Sequence, residues 1–530
     1  MKKKLASALL IVSIIVLIAN LMSGKGKLYS ELCITYEQEQ EIIEGRRVSA
    51  TPLFTKILFN GYELVNDTLS NCLFYSLIEN DSNAYNPNVK CISEKGNLSI
   101  AIVGNVLTDE GIASGEEHTL LIYSDKEYQY VSLVCTTLPL LSINHKEEIG
   151  DYNPVLFEME LFDNRKGATQ RITAADGEIR IRGRYSRNYP KKGYRITLYE
   201  TSVGENRRER KNSLLGMRQD GDWILYAAYN DLDKVRNVFS SNLWMESCGK
   251  NNVFGLSNGM EYRYVELFVN NQYWGLYALG YPIDSLQLQM KTGEYMYSKM
   301  DPYLSELDID YAAEGAVPGY QVDELGVNLE ESWDPLKRYY TAMLRGEDEN
   351  YGELREMVDM GNSIDIFLFL NMIQGIDHAN LRGSNIIHNI YMTNKINTED
   401  MSEIMLYTPW DMDRTWGYGF GFEGYSVSPD QNVLMQTNIV YLLLEQGDEE
   451  MKQMLVQRYT ELRESFWSNG YLLQTLDSYE KQIFGSGAYE RDRNRWPEGV
   501  YNDGAGNLDT FKMYVLDRMQ YMDQFIEQYE

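Results

Sequence analysis

Two carboxylates, Asp411 and Asp413, stand between Trp410 and Trp416 in the stretch "MLYTPWDMDRTWG", residues 405–417. Acids set beside large apolar rings are costly unless something positive compensates them. Either Arg414 and backbone amides neutralise the pair, or a divalent cation does. On a strand the two side chains share a face, since residues two apart point the same way. Neighbouring carboxylates raise each other's pKa unless a cation lies close. Carboxylate oxygens combined with phosphate oxygens are the usual ligands of Mg2+ or Mn2+.

Two further stretches carry residues of the same chemistry. In "GIDHANLRGSNIIHNIYM", residues 375–392, Asp377 follows the apolar run "FLFLNMIQ", and Asn385, His388 and Asn389 come just before an expected strand. An acid at a helix end followed by an asparagine is how phosphoryl-transfer sites orient a hydroxyl and hold a metal, although Asp in that place is also an ordinary turn former. In "IRGRYSRNYPKKGYRITL", six basic residues, Arg182, Arg184, Arg187, Lys191, Lys192 and Arg195, fall within 14 positions. Such a cluster suits a phosphate or carboxylate ligand; it would equally serve an exposed hairpin facing an acidic surface.

The elements that must position these residues emerge from length and pattern. A chain of 530 residues exceeds one ordinary core and divides into two or three folded units. The net charge of −29, from 49 basic and 78 acidic residues, excludes nonspecific binding to nucleic acid or anionic lipid. The five cysteines show no CxxC pairing and no histidine at zinc spacing, which argues against a structural zinc site and leaves disulfides among the first four open. At the N-terminus "MKKK" precedes the apolar run "LASALLIVSIIVLIANLM", long enough to cross a hydrocarbon core. It is read as a membrane span or a secretory signal, with an uncleaved anchor over residues 1–27 favoured, Lys2, Lys3 and Lys4 inside and the rest outside; cleavage would instead leave an exported or spore-associated protein.

Residues 28–137 read as short alternating strands separated by turn signals, a small β-sandwich used as an accessory module. From residue 138 the pattern is first β-rich: "VLFEMELFD", "EIRIRGRYS", "KKGYRITLY" and the hairpin "YRYVELFVNNQYWGLYALG". Val235, Phe239, Leu243 and Trp244 recur at helical spacing, with Asp231 or Asp233 as an N-cap. Helices dominate after about Ser332. The expected fold class is α+β.

The order of the motifs then carries a resemblance. "IRIRGRYSRNYPKKGYRITL", "DWILYAAYNDLDKVRN", "VELFVNNQYWGLYAL", "HNIYM" and "YTPWDMDRTWG", with "LPLLSIN" at the opening strand, are similar to the successive motifs of the CotH kinase family, atypical kinases of the spore-coat protein H type. The resemblance covers residues 138–530. It implies an atypical protein-kinase-like, two-lobed domain that binds ATP with Mg2+ or Mn2+ and phosphorylates Ser or Thr of a surface or spore-coat protein. It further implies Asp377 as the catalytic acid, Asn389, Asp411 and Asp413 as metal ligands, and Arg182, Lys191, Lys192 and Lys299 as nucleotide-binding cations. Asn385 competes with Asn389 for the metal role.

Two other readings are weighed against the kinase. A catalytically degenerate CotH-like domain would organise surface proteins or polymers through its tyrosine-rich faces. A glycosidase with paired carboxylates fits less well, because those enzymes hold their acids about 5 to 9.5 Å apart across a sugar, often on separate strands.

Overall fold

Along "VLFEMELF" buried and exposed side chains alternate from Val155 to Leu161, and strands of this kind build the barrel at the centre of the chain. The computed structural model describes residues 26–81, 83–94, 96–104, 109–200, 208–299, 317, 319–323, 330–346, 350–379, 388–419, 424–502 and 506–530. The N-terminal apolar run and Asn385 lie outside the described residues. Among those described, no helix is long and apolar enough to cross a membrane.

Strands between Lys27 and Thr136 form two sheets, one of four strands and one of seven. They share a core that includes Phe59, Leu120, Ile122 and Leu133. A second apolar cluster, with Phe74, Phe162, Phe268 and Tyr273, joins this module to the strands downstream of it. All five cysteines are free thiols, so no disulfide staples the module.

Seven strands then close into a barrel: β1 (Leu140–His145), β2 (Val155–Phe162), β3 (Ile172–Arg182), β4 (Gly193–Tyr199), β5 (Asp222–Tyr226), β6 (Tyr262–Val269) and β7 (Gln272–Gly280). The order around the barrel is β1-β2-β3-β4-β5-β7-β6, and parallel pairing of β1 with β6 completes it. Helix α1 (Arg236–Ser247) packs with the barrel and is buried at nearly every position. It is apolar or hydrogen-bonded all round, as a helix enclosed on every side must be. Val235, not an acid, occupies its N-cap position; Asp231 instead accepts the Arg236 N–H from five residues away (2.7 Å).

Downstream lies a second, antiparallel sheet of β8 (Tyr295–Lys299), β9 (Tyr320–Asp323), β10 (Ile390–Ile396) and β11 (Glu403–Pro409), in the order β9-β8-β10-β11. Helices α2 (Asp334–Arg345), α3 (Met360–Met372), α4 (Ile439–Glu445), α5 (Glu449–Arg463), α6 (Asn469–Glu480), α7 (Ala488–Arg495) and α8 (Asp509–Glu527) complete this part of the chain, with α7 packed on barrel strand β7. Barrel and helices share one continuous apolar core. The protein is α+β, with its strands concentrated before the helices.

Candidate functional site

The last register pair of the second sheet joins Ile390 to Pro409, and the candidate residues lie just past it on both chain segments. Asn389 and Asp411 both take left-handed backbone, with φ of 51° and 57°. Asn and Asp tolerate this region better than most residues. The Trp410 N–H donates to the Asn389 carbonyl (3.0 Å), which holds the two turns together. Sequence alternation puts Asp411 and Asp413 on a strand; the structure places them in the turn after β11. The ladder ends at Pro409, and the left-handed residue at 411 ends the alternation.

Asp377 sits in the turn after α3. Its Oδ2 accepts a hydrogen bond from Asn389 Nδ2 (3.0 Å), and His388 Nδ1 lies 3.4 Å from its Oδ1. Asn389 therefore points its amide nitrogen at Asp377 and keeps its side-chain carbonyl oxygen for another partner. Asp413 accepts from Asn230 Nδ2 (2.7 Å). Asp411 has no side-chain hydrogen bond among the described residues.

Electrostatics bind the three acids into one group. Burial raises Asp411, and the charge of Asp377 raises it further against the opposing pull of Arg182, His388 and Arg414. Asp413 is also raised, by burial and then by Asp411, with Arg414 and the Asn230 hydrogen bond opposing. Both shifts mean that the folded chain holds negative charge here at a cost. Arg414 neutralises the pair only in part: it donates to the Gly419 carbonyl (2.8 Å) and covers the Tyr418 ring, and the acids remain raised in its presence.

The loop that carries the acids is anchored by α1 and the segment before it. Asn237 Oδ1 accepts the Met412 N–H (3.0 Å), Arg236 donates to the Thr415 carbonyl (3.2 Å), and Trp416 Nε1 donates to Ser240 Oγ (3.0 Å). Arg236 is fully buried and ion-paired with Asp231 (2.7 Å) and Asp233 (2.8 Å). Gly417 is required where it stands: its φ is +80°, and a Cβ would lie 2.4 Å from the Tyr514 ring. These supports come from "NDLDKVRNVFSS", a stretch that reads in the sequence as a helix start and as the end of one family motif.

Among the candidate cations, Arg182 is the one directed at the acids. Its guanidinium lies over the Trp410 ring, 5.9 Å from the centroid, and its charge acts on Asp411. Trp410 stacks in turn on Tyr391, with ring centroids 5.4 Å apart. These three residues line a cleft of about 250 Å³ between barrel and second sheet, whose other walls include Ile224, Met260, Ile283 and Met296. A larger cleft of about 1200 Å³, beside the first module and α6, contains none of the candidate residues.

The other three cations are placed elsewhere. Lys191 is fully buried, ion-paired with Asp492 of α7 (2.8 Å) and bonded to the Leu276 carbonyl (2.6 Å). Lys192 donates to the Arg187 carbonyl within its own turn (2.6 Å). Lys299 is buried with its ammonium 4.9 Å from the Tyr320 ring centroid. Strand alternation puts it on the face of Tyr297 and Met392, opposite Ser298 and Tyr391.

The structure adds residues that sequence reasoning did not single out: Asn230, Asn237, Arg236, His378, and the Trp410–Tyr391 stack. Asn230, Arg236 and Asn237 lie in the motif "DWILYAAYNDLDKVRN", Tyr391 in "HNIYM" and Trp410 in "YTPWDMDRTWG", and His378 is the neighbour of Asp377.

Among the described residues, no three His, Cys, Asp or Glu side chains form a ready-made metal shell. The donors present nevertheless fit Mg2+ or Mn2+. Two raised carboxylates with one hydrogen bond between them, beside an amide oxygen, are hard ligands short of positive charge. Mg2+ in particular is held by one or two carboxylates plus substrate phosphates and water.

The chain is an α+β protein in which acids carried by turns gather beside a cation and an aromatic cleft. A family model described as CotH kinase protein matches residues 179–522. The chain belongs to the CotH kinase family. No curated protein matches the chain.

Proposed function

We propose that this chain transfers the γ-phosphoryl group of ATP, with Mg2+ or Mn2+, to Ser or Thr hydroxyls of a surface or spore-coat protein. The barrel and the helical part would then act as the two lobes of an atypical protein kinase. The reading is carried by one observation: Asp377, Asn389, Asp411 and Asp413 come from turns 34 positions apart in sequence and converge beside Arg182 and the cleft.

Asp377, fixed by Asn389, orients the acceptor hydroxyl and takes its proton. Asn389, Asp411 and Asp413 would hold the metal, which when bound neutralises charge on the transferring phosphates. Arg182 attracts phosphate oxygens from the barrel side, and the apolar walls with Trp410 and Tyr391 suit a nucleobase. Residues 1–27 would hold the domain outside a membrane.

The test is incubation of the full chain with γ-labelled ATP, Mn2+ and a Ser-rich acceptor, alongside Asp377→Ala. Transfer in the wild type should fall by about 10²- to 10⁴-fold in the variant, the usual contribution of a positioned base. Equal labelling in the two, or none in the wild type, would remove the proposal. Arg182→Met should weaken ATP binding by about tenfold or more, the scale of one lost charge-assisted hydrogen bond; calorimetric titration with a non-hydrolysable ATP analogue measures it.

A second reading, a CotH-like domain that binds or scaffolds without catalysis, is favoured by two features. Lys191 is spent on Asp492, and Lys299 faces the packed side of its sheet.

A further inference from the structure

His378 is wholly buried and touches both segments that carry the acid cluster. Its ring Nε2 is 2.8 Å from the Trp410 carbonyl, one residue before Asp411. Its own carbonyl accepts the His388 N–H (3.2 Å), one residue before Asn389. The Trp410 N–H to Asn389 carbonyl bond closes the triangle. Burial lowers His378 to about 4, so the ring is neutral near pH 7. Facing a carbonyl, Nε2 must carry the proton, and Nδ1 is left buried without a partner among the described residues. A purely structural core position would favour an apolar residue here, because an unsatisfied buried polar atom is costly.

The geometry points to His378 as a positioning residue that sets the spacing between the Asp377 turn and the Asp411 turn through its hydrogen bond to the Trp410 carbonyl. The inference rests on the proposed phosphoryl-transfer site. Asp377 is covalently next to His378, so a shift of the ring shifts the acid, and a displacement of about 1 Å at a reacting group can cost about 10²-fold in rate.

Two variants separate the hydrogen bond from simple packing. Gln places an amide N–H near the position of Nε2; Leu fills the volume without a donor. In the full chain, His378→Leu should weaken Mn2+ binding, read by electron paramagnetic resonance, by about tenfold or more, the range for lost outer-shell support. His378→Gln should keep Mn2+ affinity close to wild type. With a Ser-rich acceptor, His378→Leu should lower kcat far more than it raises KM for ATP, and Gln should restore kcat. Equal behaviour of the two variants, whether both intact or both impaired, overturns the inference. If His378→Leu does not fold, the nitrogen resonances of His378 in the labelled wild type decide: a neutral ring protonated on Nε2 at pH 6 to 8 is required, and an imidazolium or the other tautomer overturns it. Should the wild type bind Mn2+ and transfer no phosphate, the proposed activity fails, while the Mn2+ comparison still tests His378.

Discussion

Replacing Asp411 by Asn is expected to reduce phosphoryl transfer by about 10²- to 10³-fold or more, the loss seen when one preorganised electrostatic contact is deleted. The same change should leave the metal-free protein at least as stable as the wild type. Asp411 has no side-chain hydrogen bond among the described residues to lose, and it is raised by burial and by Asp377. The pH dependence fixes the sign. A carboxylate raised in the folded state binds its proton more tightly there than in the unfolded chain. Its favourable contribution is therefore complete below the ordinary carboxylate range and is lost as pH rises toward the raised value.

The stability advantage of Asp411→Asn should accordingly grow from about pH 4 toward neutral pH, where an unperturbed Asp is already ionised. Added Mg2+ or Mn2+ should raise the unfolding temperature of the wild type at pH 8 and raise that of the variant much less, because ligand binding to the folded state stabilises it in proportion to affinity. Scanning calorimetry across pH, with and without metal, reads both effects. A variant less stable at every pH, with the metal response intact, would show that Asp411 is a structural acid.

The second large effect is expected at Lys191. The family resemblance makes one of Lys191 and Lys192 a phosphate contact, yet the Lys191 ammonium lies in a sealed ion pair with Asp492, whose carboxylate also accepts the Leu276 N–H (2.9 Å) and the Tyr501 hydroxyl (2.9 Å). The pair fastens α7 to β7 at Gly275, where φ is +127° and a Cβ would meet Asp492 Oδ1 at 2.3 Å. Removing one member of a buried pair leaves an uncompensated charge and costs about 3 to 5 kcal/mol. Lys191→Met should therefore lower the denaturant midpoint of the barrel and loosen residues 488–502, read by hydrogen exchange. The double variant Lys191→Met/Asp492→Leu should recover much of the loss, since an apolar pair of similar volume is often neutral or better. A Lys191→Met protein of normal stability that no longer binds ATP would return Lys191 to the phosphate site.

Much of the architecture is readable from local pattern. The alternation of "VLFEMELF" and "GYRITLY", the "NNQ" hairpin and the apolar run in α3 each lie in a stretch short enough for the 2.0 or 3.6 period to declare itself. Asp231 and Asp233 resemble caps in the sequence for an equally local reason. An acid before a helix looks like a cap, whereas their ion pairs to Arg236 depend on how α1 is enclosed.

By itself the sequence determined the α+β class, the ordered motifs of the CotH kinase family, and the chemical identity of the acids, because residue type and short-range period are local properties. Only the tertiary structure decided which of four similar cations faces those acids, that Asp411 and Asp413 stand in a turn, and that His378 bridges the two turns of the site. Those outcomes depend on contacts between residues tens to hundreds of positions apart, such as Lys191 with Asp492 and Asn230 with Asp413. Burial decides there what each charge can do, and burial is set by the packed chain as a whole.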